Sequence, residues 1–274
     1  MSTFEAIVLG IVQGLTEFLP ISSTGHLRIV PALVGWEDPG SAFTAVIQLG
    51  TTAAVLIYFR EDLWRIARAW LASLRAGGAR HSQDARLGWY IVLGTIPIGI
   101  FGLAFKHDIE NGARDLYLIG TALIVFGLVM LAADRYAKQE RSLDSMTPTD
   151  GVFVGLAQAL ALVPGVSRSG ATISAGLFRG LDRESAARYS FLLSTPAIVL
   201  SALLELKGIV DGSEPTGASA SDLIVATACA FVVGYWSISF LIRFVTRHGL
   251  TPFVVYRLGL GALVLALTAG GAIS

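Results

Sequence analysis

Two loops decide the fold, Glu17-Phe-Leu-Pro-Ile-Ser-Ser-Thr-Gly-His26 and Pro164-Gly-Val-Ser-Arg-Ser-Gly-Ala-Thr172, because each places polar residues inside an otherwise apolar stretch. An Asp or Arg at the centre of a membrane-spanning helix costs roughly 2.5–3.5 kcal/mol on insertion scales. The ionisable side chains of Glu17, His26 and Arg168 therefore require a functional reason. We interpret the two loops as a site for a phosphate.

The composition of the chain indicates an integral membrane protein. Hydrophobic residues fill 54% of the 274 positions and charged residues 15%, against about 25% charged in soluble domains. The apolar runs continue for about 20 residues, which is the length of a membrane-spanning helix, whereas strands of an outer-membrane barrel alternate in polarity. We predict an all-α integral membrane protein.

Net charge and cysteine content narrow the function classes. The formal net charge is zero, so we expect no nucleic-acid partner. Cys229 is the single cysteine and lies in an apolar run, which excludes a disulfide framework and a Cys-x-x-Cys metal site. The first residues lack the basic region of a cleaved signal peptide, so we expect Met1 to belong to the mature protein.

Eight apolar segments organise the chain. Two of them, about 4–35 and 151–178, are broken in the middle by the polar loops. The other six are long enough to cross a bilayer, and we predict spans at about 41–59, 88–105, 116–134, 188–206, 223–243 and 253–272.

The distribution of charge orients these spans. Arg and Lys are in excess in the connections 60–86, 135–141 and 243–247, and acidic residues in 106–115 and 211–214. The positive-inside rule puts the first group in the cytoplasm and the second outside. Segment 4–35 then enters and leaves from the outside, and 151–178 from the cytoplasm. We predict two re-entrant helical hairpins that approach each other from opposite faces.

An internal repeat supports this topology. Gly10–Leu15 and Gly155–Leu160 share the pattern Gly-x-x-Gln-x-Leu at a spacing of 145 residues, and each is followed by a proline and a serine-rich turn. With the opposite loop polarity, this predicts an inverted-topology repeat within one membrane domain, with halves at about 1–135 and 150–274. Broken helices that meet at such a repeat interface commonly hold polar ligands.

The first loop follows a helix that carries a carboxylate. Gln13 and Glu17 are four residues apart, so their side chains share a helix face. Pro20 ends this helix because its ring nitrogen has no hydrogen to donate. A carboxylate beside an amide suits a divalent metal that bridges a diphosphate.

The residues after Pro20 predict a second helix and a nucleophile. Ser22, Ser23 and Thr24 are good N-cap residues, and the free N–H groups of a helix start form an anion site. His26 follows Ser22 by four residues and Ser23 by three, so its imidazole can lie over a serine hydroxyl. The pair would supply a nucleophile and a base.

The second loop predicts the same kind of capped helix start, here with a positively charged side chain. Gly165 frees the backbone, Ser167 and Ser169 can cap a helix, and Arg168 offers a planar fork for bidentate phosphate contact. Thr172 lies one helical turn from Arg168 and adds a hydroxyl. Phosphoryl transfer to a serine, followed by attack of water, matches these groups.

Each residue also has a simpler explanation. Ser and Thr at a helix start are usually caps, His26 could be a packing residue, and Arg168 could extend to the membrane surface. We favour function for Glu17 because it lies within an apolar run, for Arg168 because it lies between two breaks of a hairpin, and for His26 because it lies beside Ser23. Any single Ser or Thr hydroxyl is interpreted first as a cap. Gln48 and Arg257, which also lie in apolar spans, receive no role from the sequence.

The two loops resemble the signatures of the undecaprenyl pyrophosphate phosphatase family, which is also known for bacitracin resistance. One signature, (E/Q)xxxE running into PxSSTGH, is present as Gln13–Glu17 and Pro20–His26, and the other, PGxSRSxxT, as Pro164–Thr172. Both signatures are long and specific, and the resemblance covers nearly the whole chain.

The resemblance implies an activity and a location. The activity would remove the terminal phosphate from undecaprenyl diphosphate and return the monophosphate carrier to peptidoglycan synthesis. The protein would lie in the bacterial cytoplasmic membrane, bind the polyprenyl diphosphate lipid there, and need Mg²⁺ or Ca²⁺. Its site would face the exterior, which agrees with the side predicted for the first hairpin.

The resemblance also implies roles for individual residues. Glu17 would bind metal or assist proton transfer, and Arg168 would clamp phosphate. Ser23 would be the nucleophile and His26 its base. Gln13 stands where many members have a second Glu, so a hydrogen-bonding role suits it better than metal ligation. Supporting contacts to the substrate would come from Gln13, Ser22, Thr24, Ser167, Ser169 and Thr172.

Several alternatives stay open at this stage. Inverted repeats with broken helices are also transporter architecture, so a lipid flippase or transporter is the competing class. A channel is disfavoured because the sequence shows no ring of like charges. Ser22, Ser23 or water could be the nucleophile, and a homodimer is an open alternative to a monomer.

Overall fold

The fold is built from helices, as the sequence predicts. The computed structural model describes residues 1–75, 82–105, 114–210 and 217–273, and within these ranges it contains no β-strand. The helices are α1 (Thr3–Phe18), α2 (Ser23–Val34), α3 (Gly40–Tyr58), α4 (Arg60–Ser73), α5 (Gln83–Ala104), α6 (Leu116–Tyr136), α7 (Pro148–Ala159), α8 (Arg168–Phe178), α9 (Arg183–Val210), α10 (Ala220–His248) and α11 (Thr251–Ala269).

The six predicted spans are confirmed within the described residues. Helices α3, α5, α6, α9, α10 and α11 are long and apolar enough to cross a membrane. Some ends differ from prediction: α5 begins at Gln83 rather than at 88, and α10 continues to His248 rather than ending at 243. The acidic connections used to orient the spans lie largely outside the described residues, since 106–113 and 211–216 are not among them.

The two broken segments are each divided into separate helices at their polar loops. Segment 4–35 becomes α1 and α2, and 151–178 becomes α7, a short 3₁₀ turn at Leu160–Leu162, and α8. The connection 60–86 holds a helix that the sequence did not predict, α4. It carries the exposed apolar side chains of Trp64 and Leu71, and Leu74, also exposed, follows directly after its end.

Two pairs of helices approach each other closely. Helix α1 packs along α10, and α7 packs along α5. Both contacts need a glycine. A Cβ atom at Gly10 would lie 2.3 Å from the carbonyl oxygen of Ala226, and one at Gly155 would lie 2.4 Å from the Cα of Gly94. Gly10 and Gly155, the first residues of the two Gly-x-x-Gln-x-Leu segments, therefore both lie at close helix crossings.

A buried carboxylate ties the start of α7 to the end of α8. Asp150 is fully buried, and its oxygens accept hydrogen bonds from Arg141 at 2.7 Å and from Arg179 at 2.6 Å. Burial alone would raise the pKa of Asp150, but these two arginines, with Thr147, lower it well below its usual range. The second polar loop is therefore anchored at the far ends of its two flanking helices.

Candidate active site

Glu17 is the centre of the site. It lies in the last turn of α1 and is 8% exposed. Its Oε2 accepts hydrogen bonds from Ser23 Oγ at 2.7 Å and from Gln13 Nε2 at 3.2 Å, and its Oε1 accepts an ion-paired bond from Arg168 Nη2. The predicted shared face of Gln13 and Glu17 is confirmed. The structure also joins the two loops, which are about 150 residues apart in sequence, through a single carboxylate.

The two loops have the same backbone geometry at their helix starts. Ser22 has φ 77° and Ser167 has φ 73°, a left-handed conformation that is rare outside glycine. The Ser22 hydroxyl accepts the N–H of Gly25 at 3.4 Å, and the Ser167 hydroxyl accepts the N–H of Gly170 at 3.2 Å. Both serines therefore cap a helix as predicted. Strained backbone of this kind persists only where the surroundings enforce it, commonly at functional sites.

The remaining hydroxyls of the loops point to different partners. Ser169 lies inside α8 and does not cap it, and its hydroxyl donates across to the Leu19 carbonyl of the first loop at 3.2 Å. Thr172 is fully buried, and its hydroxyl is 2.6 Å from that of Ser190 in α9. Thr24 is exposed. Ser169 thus strengthens the contact between the loops, whereas Thr172 contacts a spanning helix rather than the Glu17 cluster.

His26 occupies a different setting from the one the spacing suggested. Its Nδ1 is 2.7 Å from the backbone carbonyl oxygen of Ser22, and its Nε2 is 2.7 Å from the hydroxyl of Tyr256. Among the described residues, the imidazole has no hydrogen bond to a serine hydroxyl. The group within hydrogen-bonding distance of the Ser23 hydroxyl is the Glu17 carboxylate.

Arg257 is the main residue that sequence reasoning left without a role. It is fully buried in α11 and donates to the backbone carbonyls of Pro20 at 3.1 Å and Gly165 at 2.9 Å, one in each polar loop. It also donates to Ala122 and Leu123 of α6. The cost of an arginine in an apolar span, which drew attention to Arg168, was the available signal for Arg257 too.

Few oxygen ligands lie around Glu17, which suits a cation that takes most of its ligands from bound phosphate and water. No group of three or more His, Cys, Asp or Glu residues that could hold a metal occurs in the described part of the chain. The buried Oε1 of Gln13 has no hydrogen-bond partner there, and it is an oxygen ligand beside a carboxylate. Mg²⁺ is commonly held by one or two carboxylates together with water and substrate phosphates.

Comparison with known proteins gives a consistent result along the chain. The family model described as bacitracin resistance protein BacA matches residues 6–263. The undecaprenyl-diphosphatase of Nocardioides sp. is 54% identical over 98% of both chains. That of Mycolicibacterium smegmatis is 54% identical over 100% of this chain and 99% of its own, and that of Thermobifida fusca 52% identical over 100% and 93%. The chain therefore belongs to the bacitracin resistance protein BacA family.

Proposed function

We propose that this protein is an undecaprenyl-diphosphatase, an integral membrane hydrolase that converts undecaprenyl diphosphate to undecaprenyl phosphate and phosphate. Family membership, the names of full-length relatives and the six apolar helices support this assignment. The observation that carries it at the level of chemistry is the Glu17 carboxylate, which accepts from a serine hydroxyl and from an arginine at once. The activity returns the lipid carrier to cell wall synthesis.

The first chemical step follows from the contacts of Ser23. Its hydroxyl donates to Glu17 Oε2, so Glu17 is placed to take the proton as the serine oxygen attacks the terminal phosphorus. The bond from that phosphorus to the bridging oxygen breaks, and undecaprenyl phosphate leaves. Water then attacks the phosphorus of the phosphoserine and gives a proton to His26 as the base. The bond from phosphorus to the Ser23 oxygen breaks, that oxygen takes back the proton from Glu17, and phosphate leaves. Direct attack by water is the alternative that leaves Ser23 as a binding residue.

Arg168 would bind the phosphoryl group during these steps. Its guanidinium has five N–H donors, and among the described residues only Nη2 is engaged, by Glu17. The remaining donors can form the bidentate contact that arginine makes with phosphate. Arg168 thus joins the bound phosphoryl group to the carboxylate beside the nucleophile.

A divalent cation, Mg²⁺ or Ca²⁺, is part of the proposal. Glu17 and the amide oxygen of Gln13 would hold it together with oxygens of the diphosphate. When bound, it would offset the negative charge of the diphosphate. The Ser22 and Ser167 caps would keep the helix starts of both loops directed toward the site.

The proposed architecture is an inverted repeat of two re-entrant hairpins. Two observations support it. Ser22 and Ser167 are matched helix caps, and α1 from the first half packs on α10 from the second while α7 from the second packs on α5 from the first. Arg257 supports it as well, since its carbonyl partners Pro20 and Gly165 are also 145 residues apart. We propose a cytoplasmic membrane location with the Glu17 cluster open to the exterior.

The test is phosphate release from a C55 prenyl diphosphate by the purified protein with Mg²⁺. We expect release by the natural sequence and loss of at least about 100-fold in kcat for Ser23→Ala. Ser221→Ala, at an exposed position, is the matched control. Movement of the lipid between the two leaflets of a vesicle membrane, without any phosphate release, would instead support the flippase. Equal rates for Ser23→Ala and the natural protein would favour direct attack by water.

A further inference from the structure

The hydrogen bonds of His26 define its protonation pattern. A backbone carbonyl oxygen can only accept, so the contact with Ser22 requires a hydrogen on Nδ1. In the neutral imidazole the lone pair then lies on Nε2. This lone pair is directed at the Tyr256 hydroxyl 2.7 Å away, which must donate. The basic nitrogen of His26 therefore faces a tyrosine rather than a serine.

Tyr256 is held in place for this contact. Its ring stacks on the imidazole with 10° between the planes and 5.6 Å between the centroids. The next residue, Arg257, is fixed by carbonyls from both polar loops. The Ser22 carbonyl, turned by the positive φ of that residue, also accepts the backbone N–H of His26 at 3.2 Å. Both ring nitrogens are thus held by rigid parts of the fold.

We propose that Tyr256 is the residue through which His26 acts as a base. The inference rests on the proposed function. Because both ring nitrogens are engaged, a proton that reaches Nε2 comes from the Tyr256 hydroxyl. The tyrosine O–H bond breaks as the Nε2–H bond forms, and the tyrosine oxygen takes a proton from the attacking water. The net change is one proton moved from water to His26, with Tyr256 restored.

The exposure of the two side chains agrees with a proton path from water through Tyr256 to His26. His26 is 5% exposed, whereas Tyr256 is 45% exposed. Of these two hydrogen-bonded side chains, Tyr256 is therefore the one that a molecule outside the protein can contact. No second side chain in the described ranges is hydrogen-bonded to Nε2 of His26.

A double-mutant cycle tests the proposal. Tyr256→Phe keeps the ring and removes the hydroxyl, and we expect kcat to fall about 100-fold with KM within about twofold. In a His26→Gln background the same change should have no further effect, since residues that act as a unit are not additive. Tyr117→Phe, at an exposed position on α6, is the matched control and should keep the natural rate.

A spectroscopic measurement separates this proposal from the proposed function. In protein labelled with ¹⁵N-histidine, the His26 signals, identified by their loss in His26→Gln, should show hydrogen on Nδ1 and a hydrogen-bonded Nε2 without hydrogen. In Tyr256→Phe the Nε2 signal should move toward that of an unbonded nitrogen. These results need no activity, so they stand even if the natural protein releases no phosphate.

Three results would overturn the role of Tyr256. They are an unchanged kcat in Tyr256→Phe, a further loss when it is combined with His26→Gln, and a hydrogen on Nε2 of His26 in the natural protein. If Tyr256→Phe fails to fold, the last measurement on the natural protein decides alone.

Discussion

Ser23 and Arg168 occupy equivalent positions in the two loops, 145 residues apart, and donate to the two different oxygens of Glu17. Each is the first residue of a helix whose preceding serine has a positive φ. A hydroxyl and a guanidinium thus lie at matching points of the two loops. One carboxylate, Glu17, connects them.

This relationship predicts a large effect for Glu17→Gln. The amide cannot take the Ser23 proton and cannot pair with the Arg168 charge, so kcat for phosphate release should fall at least about 100-fold. The exposed Glu61→Gln on α4 is the control for a surface carboxylate. An activity for Glu17→Gln within twofold of the natural protein would contradict the assigned proton acceptor.

Arg257 should contribute mainly to the stability of the loop pair. Arg257→Met would leave the buried loop carbonyls of Pro20 and Gly165 without their donor, and unsatisfied buried groups cost about 1–3 kcal/mol each. We expect the free energy of unfolding in mixed micelles to fall by about 3 kcal/mol or more. The exposed Arg247→Met should leave it unchanged. Equal stabilities of the two variants would show that the carbonyls find other partners.

The paired helix crossings predict paired packing defects. Gly10→Ala and Gly155→Ala each place a Cβ atom less than 2.5 Å from the backbone of the facing helix, and such overpacking costs about 1–3 kcal/mol. Gly259→Ala, with no atom within 4 Å of its Cβ position, should be neutral or stabilising by up to about 1 kcal/mol. Unfolding of the three variants in detergent measures the difference. A loss in Gly10→Ala without one in Gly155→Ala would argue against equivalent crossings.

Asp150 predicts a dependence of stability on pH. Its pKa is lowered in the folded protein, so its contribution to stability is complete above its unfolded pKa of about 3.9 and is lost as the pH falls toward the folded value. The difference in unfolding free energy between the natural protein and Asp150→Asn should be largest near pH 7 and shrink below about pH 4. Glu140→Gln, at an exposed position, should show no such trend. A difference that stays constant with pH would exclude this linkage.

The sequence predicted the elements that depend on local chemistry. Twenty-residue apolar runs gave the six spans, and Pro20 with the serine caps gave the breaks and the new helix starts at Ser23 and Arg168. The partners of the side chains could not be predicted, because they lie far away along the chain. Spacing alone placed His26 over a serine, whereas the structure turns it toward Tyr256, 230 residues away. The role of Arg257 likewise depends on a helix that meets both loops only in the folded chain.

The proposed orientation of the site predicts from which side of the membrane a reagent can reach Thr24. This residue is exposed and next to Ser23, and the charge distribution puts the first hairpin on the external side. In a Cys229→Ser background, Thr24→Cys in intact cells should react with a membrane-impermeant maleimide. Lys138→Cys, exposed in a connection predicted to be cytoplasmic, should react only after the membrane is permeabilised. The reverse pattern would place the Glu17 cluster on the cytoplasmic side, because Thr24 and Ser23 are neighbours on one helix turn.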